Sequence, residues 1–140
     1  MPQMLHVSDA ASIGIHACSL LAALPPGKTL TSQEMAETLR GSANHMSKIL
    51  QRLSRARMVE STRGPNGGFR LSRDPETTSV LQVFEAIEGP IREEHCMLRI
   101  PLCSPAKQCI MGRLVQDVQE MVRDRFSKTT LGDMARFIND

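Results

Sequence analysis

Apolar positions recur every three to four residues along several stretches of this chain, and most of these stretches open on a residue able to cap a helix. Ser8 and Asp9 precede Ile13, Ala17, Leu20, Leu21 and Leu24, a stripe closed by Pro25-Pro26-Gly27. In T-S-Q-E, Thr31 and Glu34 have capping-box spacing and open a short helix through Leu39, which Arg40-Gly41 ends. Ser42 caps the next helix. Its inward stripe is Met46, Ile49, Leu50 and Leu53, while Asn44, Ser47, Lys48, Gln51 and Arg55 occupy the opposite face. The period then changes from helical to alternating. MVESTRGPNGGFRLS reads as a strand over Met58–Thr62, a turn over Arg63–Gly68 and a return strand over Phe69–Leu71. Phe69 and Leu71 are two apart and share a face, with Arg70 on the other. Two helices across a Gly-containing turn, followed by a Gly-rich, Arg-bearing hairpin, predict a winged helix-turn-helix.

Asp74-Pro75 begins a linker. Ser79 and Gln82 again have capping spacing, and Val80, Val83, Phe84 and Ile87 form a stripe that ends at Gly89-Pro90. Farther on, Ile110, Met111, Leu114, Val115, Val118, Met121 and Val122 predict a long amphipathic helix to about Phe126. Periodicity alone allows that helix to pack on its own domain or against a partner helix. So short a chain has few unused core faces, which favours a partner. The expected fold is mainly α with a small β-wing: a winged helix-turn-helix over residues 1–90, a cysteine-rich loop over 91–109, and a dimerisation helix with a C-terminal tail over 110–140.

Charge sharpens this picture. The chain is only +2 overall, but residues 40–73 carry eight Lys/Arg against Glu60 alone, between two acidic flanks. Seven of those eight cations lie in one helix and the hairpin after it, an electrostatic footprint for a phosphate backbone. Trp and Tyr are absent and Phe is sparse, which argues against a stacking platform for single strands. No apolar run nears the roughly 18 residues of a membrane span, and MPQMLHVSDA lacks a signal-peptide pattern, so a cytoplasmic chain is expected. No nucleophile–base pair, phosphate-cradling loop or carboxylate pair marks an enzyme.

Three of the four cysteines fall in HCMLRIPLCSPAKQC, as Cys96, Cys103 and Cys109. Pro101 and Pro105 exclude a continuous helix there. Stable disulfides are uncommon in a reducing compartment. Thiolates take zinc or iron–sulfur clusters, and both want four ligands. Cys18 sits in the apolar run HACSLLAALP and reads as a small core residue, so the loop is one ligand short. His6, His16 and His95 are further candidates. A cluster, a zinc site, a thiol or disulfide switch and an inert loop all remain open at this point.

The segments SKILQRLSRARMVESTRGPNGGFRLSRD, SVLQVFEAIEGP, the three-cysteine loop and TLGDM together resemble the Rrf-type winged-helix regulators, the family of IscR and NsrR. The resemblance implies a homodimeric, cytoplasmic transcription regulator, a repressor, bound to double-stranded operator DNA. It implies base or phosphate contacts from Asn44, Ser47 and Lys48, a phosphate contact from Ser42, and minor-groove entry by Arg63. It also implies an iron–sulfur cluster, [4Fe-4S] or [2Fe-2S], on Cys96, Cys103 and Cys109, sensing nitric oxide, redox state or iron–sulfur status. The fourth ligand separates the subfamilies. Gly112 stands where an IscR-like chain has His, whereas Asp9 matches the NsrR-like aspartate that the other subunit supplies. One extra residue between Cys96 and Cys103 departs from the family spacing. The alternatives are a cluster-free regulator using thiol or disulfide switching, and a zinc-stabilised protein-interaction module.

Overall fold

A computed structural model describes residues 7–92, 96, 98, 103 and 108–140. Its elements are α1 (Asp9–Ala22), α2 (Ser32–Thr38), α3 (Ala43–Arg55), β1 (Val59–Thr62), β2 (Gly68–Leu71), α4 (Val80–Glu88), α5 (Leu114–Lys128) and α6 (Leu131–Asn139). The cap residues act as their types require. Ser8, Thr31, Ser42 and Ser79 each accept a backbone N–H from the first turn of the helix they open.

The core is built around α1, which packs against α3, α4, α6 and β2. Ala11, Ala17 and Cys18 are fully buried, and these small side chains let neighbouring helices come close. From α3, Met46, Ile49, Leu50 and Leu53 enter this core, so its polar face is turned outward. Phe69, Leu71 and Leu30 pack against the same core and seat the wing on the helices.

The wing is an antiparallel pair in the register Val59↔Leu71 to Thr62↔Gly68. Leu30 bonds to Phe69 on the far side of β2, its N–H donating to the Phe69 carbonyl at 3.1 Å and its carbonyl accepting the Phe69 N–H at 2.7 Å. The double glycine of the wing follows from these close backbone approaches. A Cβ on Gly67 would sit 2.6 Å from the Thr62 carbonyl oxygen, and one on Gly68 would sit 2.8 Å from that of Leu30. No neighbouring side chain can yield to relieve either clash.

The C-terminal third differs from the sequence expectation in two ways. The long helix begins at Leu114, not Ile110, because Gly112 takes φ +61 and breaks the helical path, leaving Ile110 and Met111 in the preceding turns. The stretch read as a C-terminal tail is α6. Thr130 and Asp133 form a capping box, with Thr130 N–H to Asp133 at 2.9 Å and Asp133 N–H to Thr130 Oγ at 3.0 Å. Buried Leu131 and Ala135 then dock the helix on α1. That backbone hydrogen bond, with help from Arg136, holds the Asp133 carboxyl below the usual carboxylate range. Phe84 and Phe126 join α4 to α5 edge to face, with ring centroids 5.8 Å apart.

Leu53 is 0% exposed, so Leu53→Ala is expected to lower the unfolding free energy by about 2–5 kcal/mol. Phe137 is 82% exposed, and Phe137→Ser is expected to stay within about 0.5 kcal/mol of the parent. Urea titrations of the two variants measure both.

Candidate DNA-reading face and thiol site

The outward face of α3 and the wing carry the basic segment, but its eight cations are not equivalent. Arg52 donates to the Ile87 carbonyl at 3.4 Å. Arg70 pairs with Glu60 across the wing at 2.6 Å. Arg73 donates to the carbonyls of Arg57 and Ala56, both at 3.1 Å. These three already have partners within the fold. Arg40, Lys48, Arg55, Arg57 and Arg63 are exposed and have no side-chain partner among the described residues. Sequence alone could not make this division, since it depends on which carbonyls and carboxylates the fold brings near.

Four of the predicted reading residues belong to the cap and first two turns of α3, and the fifth to the turn of the wing. Ser42 is the cap of α3, its Oγ accepting the His45 N–H at 3.0 Å. Asn44 and Lys48 are exposed one turn apart on α3, with Ser47 half-buried beside them. Arg63 is exposed in the turn after β1. Dipole and chemistry agree here: the first turn of α3 contains no acid, unlike those of α1, α2 and α6.

The second feature is the cysteine loop. Its start is clipped to α5, where Gln119 donates to the Arg92 carbonyl at 2.7 Å and Arg123 to the Ile91 carbonyl at 3.3 Å. Its end leads into the first turn of the same helix. Cys96, Cys103 and Cys109 are exposed, free of disulfides and lining one shallow pocket. Leu98, Met111 and Val115 supply apolar wall to that pocket, and Gly112 lines it too. Sequence spacing gave no sign of this wall, because it joins Cys96, Leu98 and Cys103 to α5 residues distant from them in sequence.

Among the described residues, no group of three His, Cys, Asp or Glu side chains is drawn together tightly enough to hold a metal ion. The donor chemistry nonetheless fits a soft metal site: three unpaired thiols share one pocket, short of a fourth ligand. Asp9 is exposed on the first turn of α1 and does not line the pocket within its own chain. Ser8 beside it donates to the Glu88 carboxylate, tying that helix end to the chain entering the loop. His16 is exposed, its Nδ1 within 2.7 Å of the Ser12 carbonyl. His6 and His95 lie outside the described residues, as does most of 93–107. Cys18 is fully buried, and desolvation pushes its thiol up to about 12.

The family described as Rrf2, iron-dependent transcriptional regulators, matches residues 7–136. The chain belongs to the Rrf2 family. Rrf2 members are transcription regulators rather than enzymes, and this chain's helices with a small two-stranded wing have the Rrf2 winged-helix fold. Among solved structures, the chain is similar to CymR, the global cysteine regulator of B. subtilis, at 23% identity and a TM-score of 0.79, covering 94% of this chain and 96% of that one. CymR of Staphylococcus aureus matches at 25% identity and a TM-score of 0.75, over 91% of this chain and 96% of that one. IscR of T. potens matches at 21% identity and a TM-score of 0.74, over 94% and 87%. No helix among the described residues is long and apolar enough to cross a membrane.

The thiol environments predict unequal reactivity. In reduced, metal-free protein at neutral pH, a maleimide is expected to modify the exposed Cys96, Cys103 and Cys109 and to reach Cys18 only in denaturant, because burial both shuts the reagent out and disfavours the Cys18 thiolate. Intact mass before and after denaturation counts the adducts.

Proposed function

We propose that this Rrf2 protein is a homodimeric repressor whose hold on operator DNA is set by the state of its cysteine loop. The observation that carries the reading is the shared wall of the thiol pocket. Met111, Gly112, Leu114 and Val115 line the pocket and the last two belong to α5, so a change at the thiols would act on the helix that would pair the subunits. That helix offers an apolar surface: Leu114 is 43% exposed and Met121 72%, with Ile110 at 97% beside them. Pairing through this stripe fixes the distance between two copies of α3, and specific binding requires both to meet half-sites together.

Ser42, Asn44, Ser47 and Lys48 would contact bases and phosphates in the major groove. Arg63 would enter the minor groove, where negative potential attracts a guanidinium. Cys96, Cys103 and Cys109 would hold an iron–sulfur cluster, with Asp9 of the other protomer as the fourth ligand. When bound, such a cluster supplies a link sensitive to nitric oxide and to redox state. The chain's own part is to gather three thiols against an apolar wall, to leave one position open at Gly112, and to couple the loop to α5.

A second reading keeps the DNA-binding dimer and dispenses with the cluster. It is favoured by three loop thiols that are exposed and free of disulfides. The same loop would then switch by thiol oxidation or disulfide formation.

Anaerobic purification with iron and sulfide quantification and a visible spectrum separates these readings. Coloured, iron-bearing protein is expected. Colourless protein after reconstitution, with DNA affinity reversed by oxidant and reductant, would establish the thiol switch instead. Asp9→Ala is expected to bleach faster in air; an unchanged spectrum and lifetime would remove Asp9 from the site. Arg63→Ala is expected to weaken duplex binding and make its salt dependence shallower by about one unit of slope per bound protomer.

A further inference from the structure

The turn between α2 and α3 carries an arginine where the backbone favours glycine. The Gly41 N–H donates to the Ala36 carbonyl at 2.8 Å and the Arg40 N–H to that of Glu37 at 3.2 Å, the paired bonds that close a helix through a left-handed residue. That residue is Arg40, at φ +53. The closure needs the left-handed backbone but not the side chain, and glycine adopts this conformation without the steric cost that a Cβ brings. The Arg40 side chain offers the fold nothing visible in return. It is exposed and has no partner among the described residues.

Arg57 repeats the arrangement at the far end of α3, with φ +57 and its own closing bonds, Met58 N–H to the Leu53 carbonyl at 2.9 Å and Arg57 N–H to that of Ser54 at 3.0 Å. The two positions differ in place. Arg40 is two residues before the cap Ser42, at the end of α3 whose first turn carries Asn44. Arg57 follows the last turn, about 20 Å away along a helix that rises 1.5 Å per residue. A helix-turn-helix presents the entering turn of its recognition helix to the base edges, so the phosphates bordering the groove are met around that end.

We propose that Arg40 is a phosphate-contacting residue that anchors the entrance of α3 on the DNA backbone, and that its side chain is kept at a strained position for that contact. The proposal rests on the DNA-binding reading above and adds a residue outside the α3–wing set. Its contribution is electrostatic and independent of sequence, so it is measurable on DNA of any sequence.

The test uses the full chain, a fluorescent random-sequence duplex and anisotropy titrations across a range of salt. Arg40→Gln keeps the Cβ and removes the charge. It is expected to weaken binding roughly fivefold or more near 0.1 M salt and to make the slope of log affinity against log salt shallower by about one per bound protomer. Arg40→Lys is expected to retain the parental slope. Arg40→Gly is expected to lose the slope as the Gln variant does without lowering the thermal midpoint, since glycine suits the backbone there. Arg57→Gly, the matched backbone change at the other end of α3, is expected to leave the slope unaltered. A parental slope in Arg40→Gln would overturn the proposal while leaving the DNA-binding reading intact. A parent chain that shows no salt-dependent duplex binding would remove both.

Discussion

The structure depends on how closely other elements approach α1. Ala11, Ala17 and Cys18 are fully buried, and α3, α4, α6 and β2 all touch this one helix. Small side chains there sit beside the larger Ile15 and Leu21, and an interior packed in this way does not absorb an added methylene without a shift. The consequence is geometric. The reading helix, the wing strand and the helix leading into the cysteine loop are referenced to the same axis. Ser8 extends this control to the loop entrance through Glu88, while Gln119 and Arg123 clip the first loop carbonyls to α5. A loop held at both ends by rigid elements can pass a local change in shape to those elements, which a freely tethered loop cannot.

The same fold divides the positive charge into two jobs. A guanidinium that satisfies a backbone carbonyl or a carboxylate contributes to the folded state and is already committed. Arg52 and Arg73 spend their donors on carbonyls at helix ends, and Arg70 braces the wing through Glu60. That exposed pair contributes at most about 1 kcal/mol, and Arg63 at the turn has no acid bonded to it among the described residues. The net charge of a segment therefore overstates what it can offer to a ligand. The relevant quantity is the set of cations left over after the fold has met its own needs.

Where local chemistry decides an element, the sequence revealed it. The cap and stripe of α3, the capping boxes of α2 and α4, and the alternation of Phe69 and Leu71 each depend on residues within a few positions, and each stands in the structure as read. Two features needed more. Periodicity carried the stripe of α5 back to Ile110, since a hydrophobic pattern does not register that one glycine, Gly112, leaves the helical region. α6 carried a readable signal, T-x-x-D before an apolar repeat, but its short length hid how well Leu131 and Ala135 dock on α1. The outward polar face of α3 was legible as a set of residue types opposite its buried stripe. The division of its arginines and the gathering of three thiols around one apolar wall were not, because both arise from contacts between segments distant in sequence.

A three-ligand site has an energetic consequence for the regulator proposed here. In that proposal, three thiols from one chain and a carboxylate from another would close a site only in the assembled dimer. Anything that binds the closed form better than the open one then stabilises that assembly by mass action, and the coupling is reciprocal. Loss of a ligand acts in the same way as weakening the subunit interface, because both draw on one free-energy difference. The exposed apolar stripe on α5 sets how much of that difference the protein supplies unaided. A wide, continuous stripe would keep the subunits paired whatever the state of the loop, and the sensor would then have to act on the angle between the readers rather than on their association. The stripe seen here is short and is crossed by acids, with Asp117, Glu120 and Asp124 exposed along the same helix. A marginal interface of this kind would leave the proposed sensor loop enough leverage to decide whether two copies of α3 face the DNA at a fixed spacing.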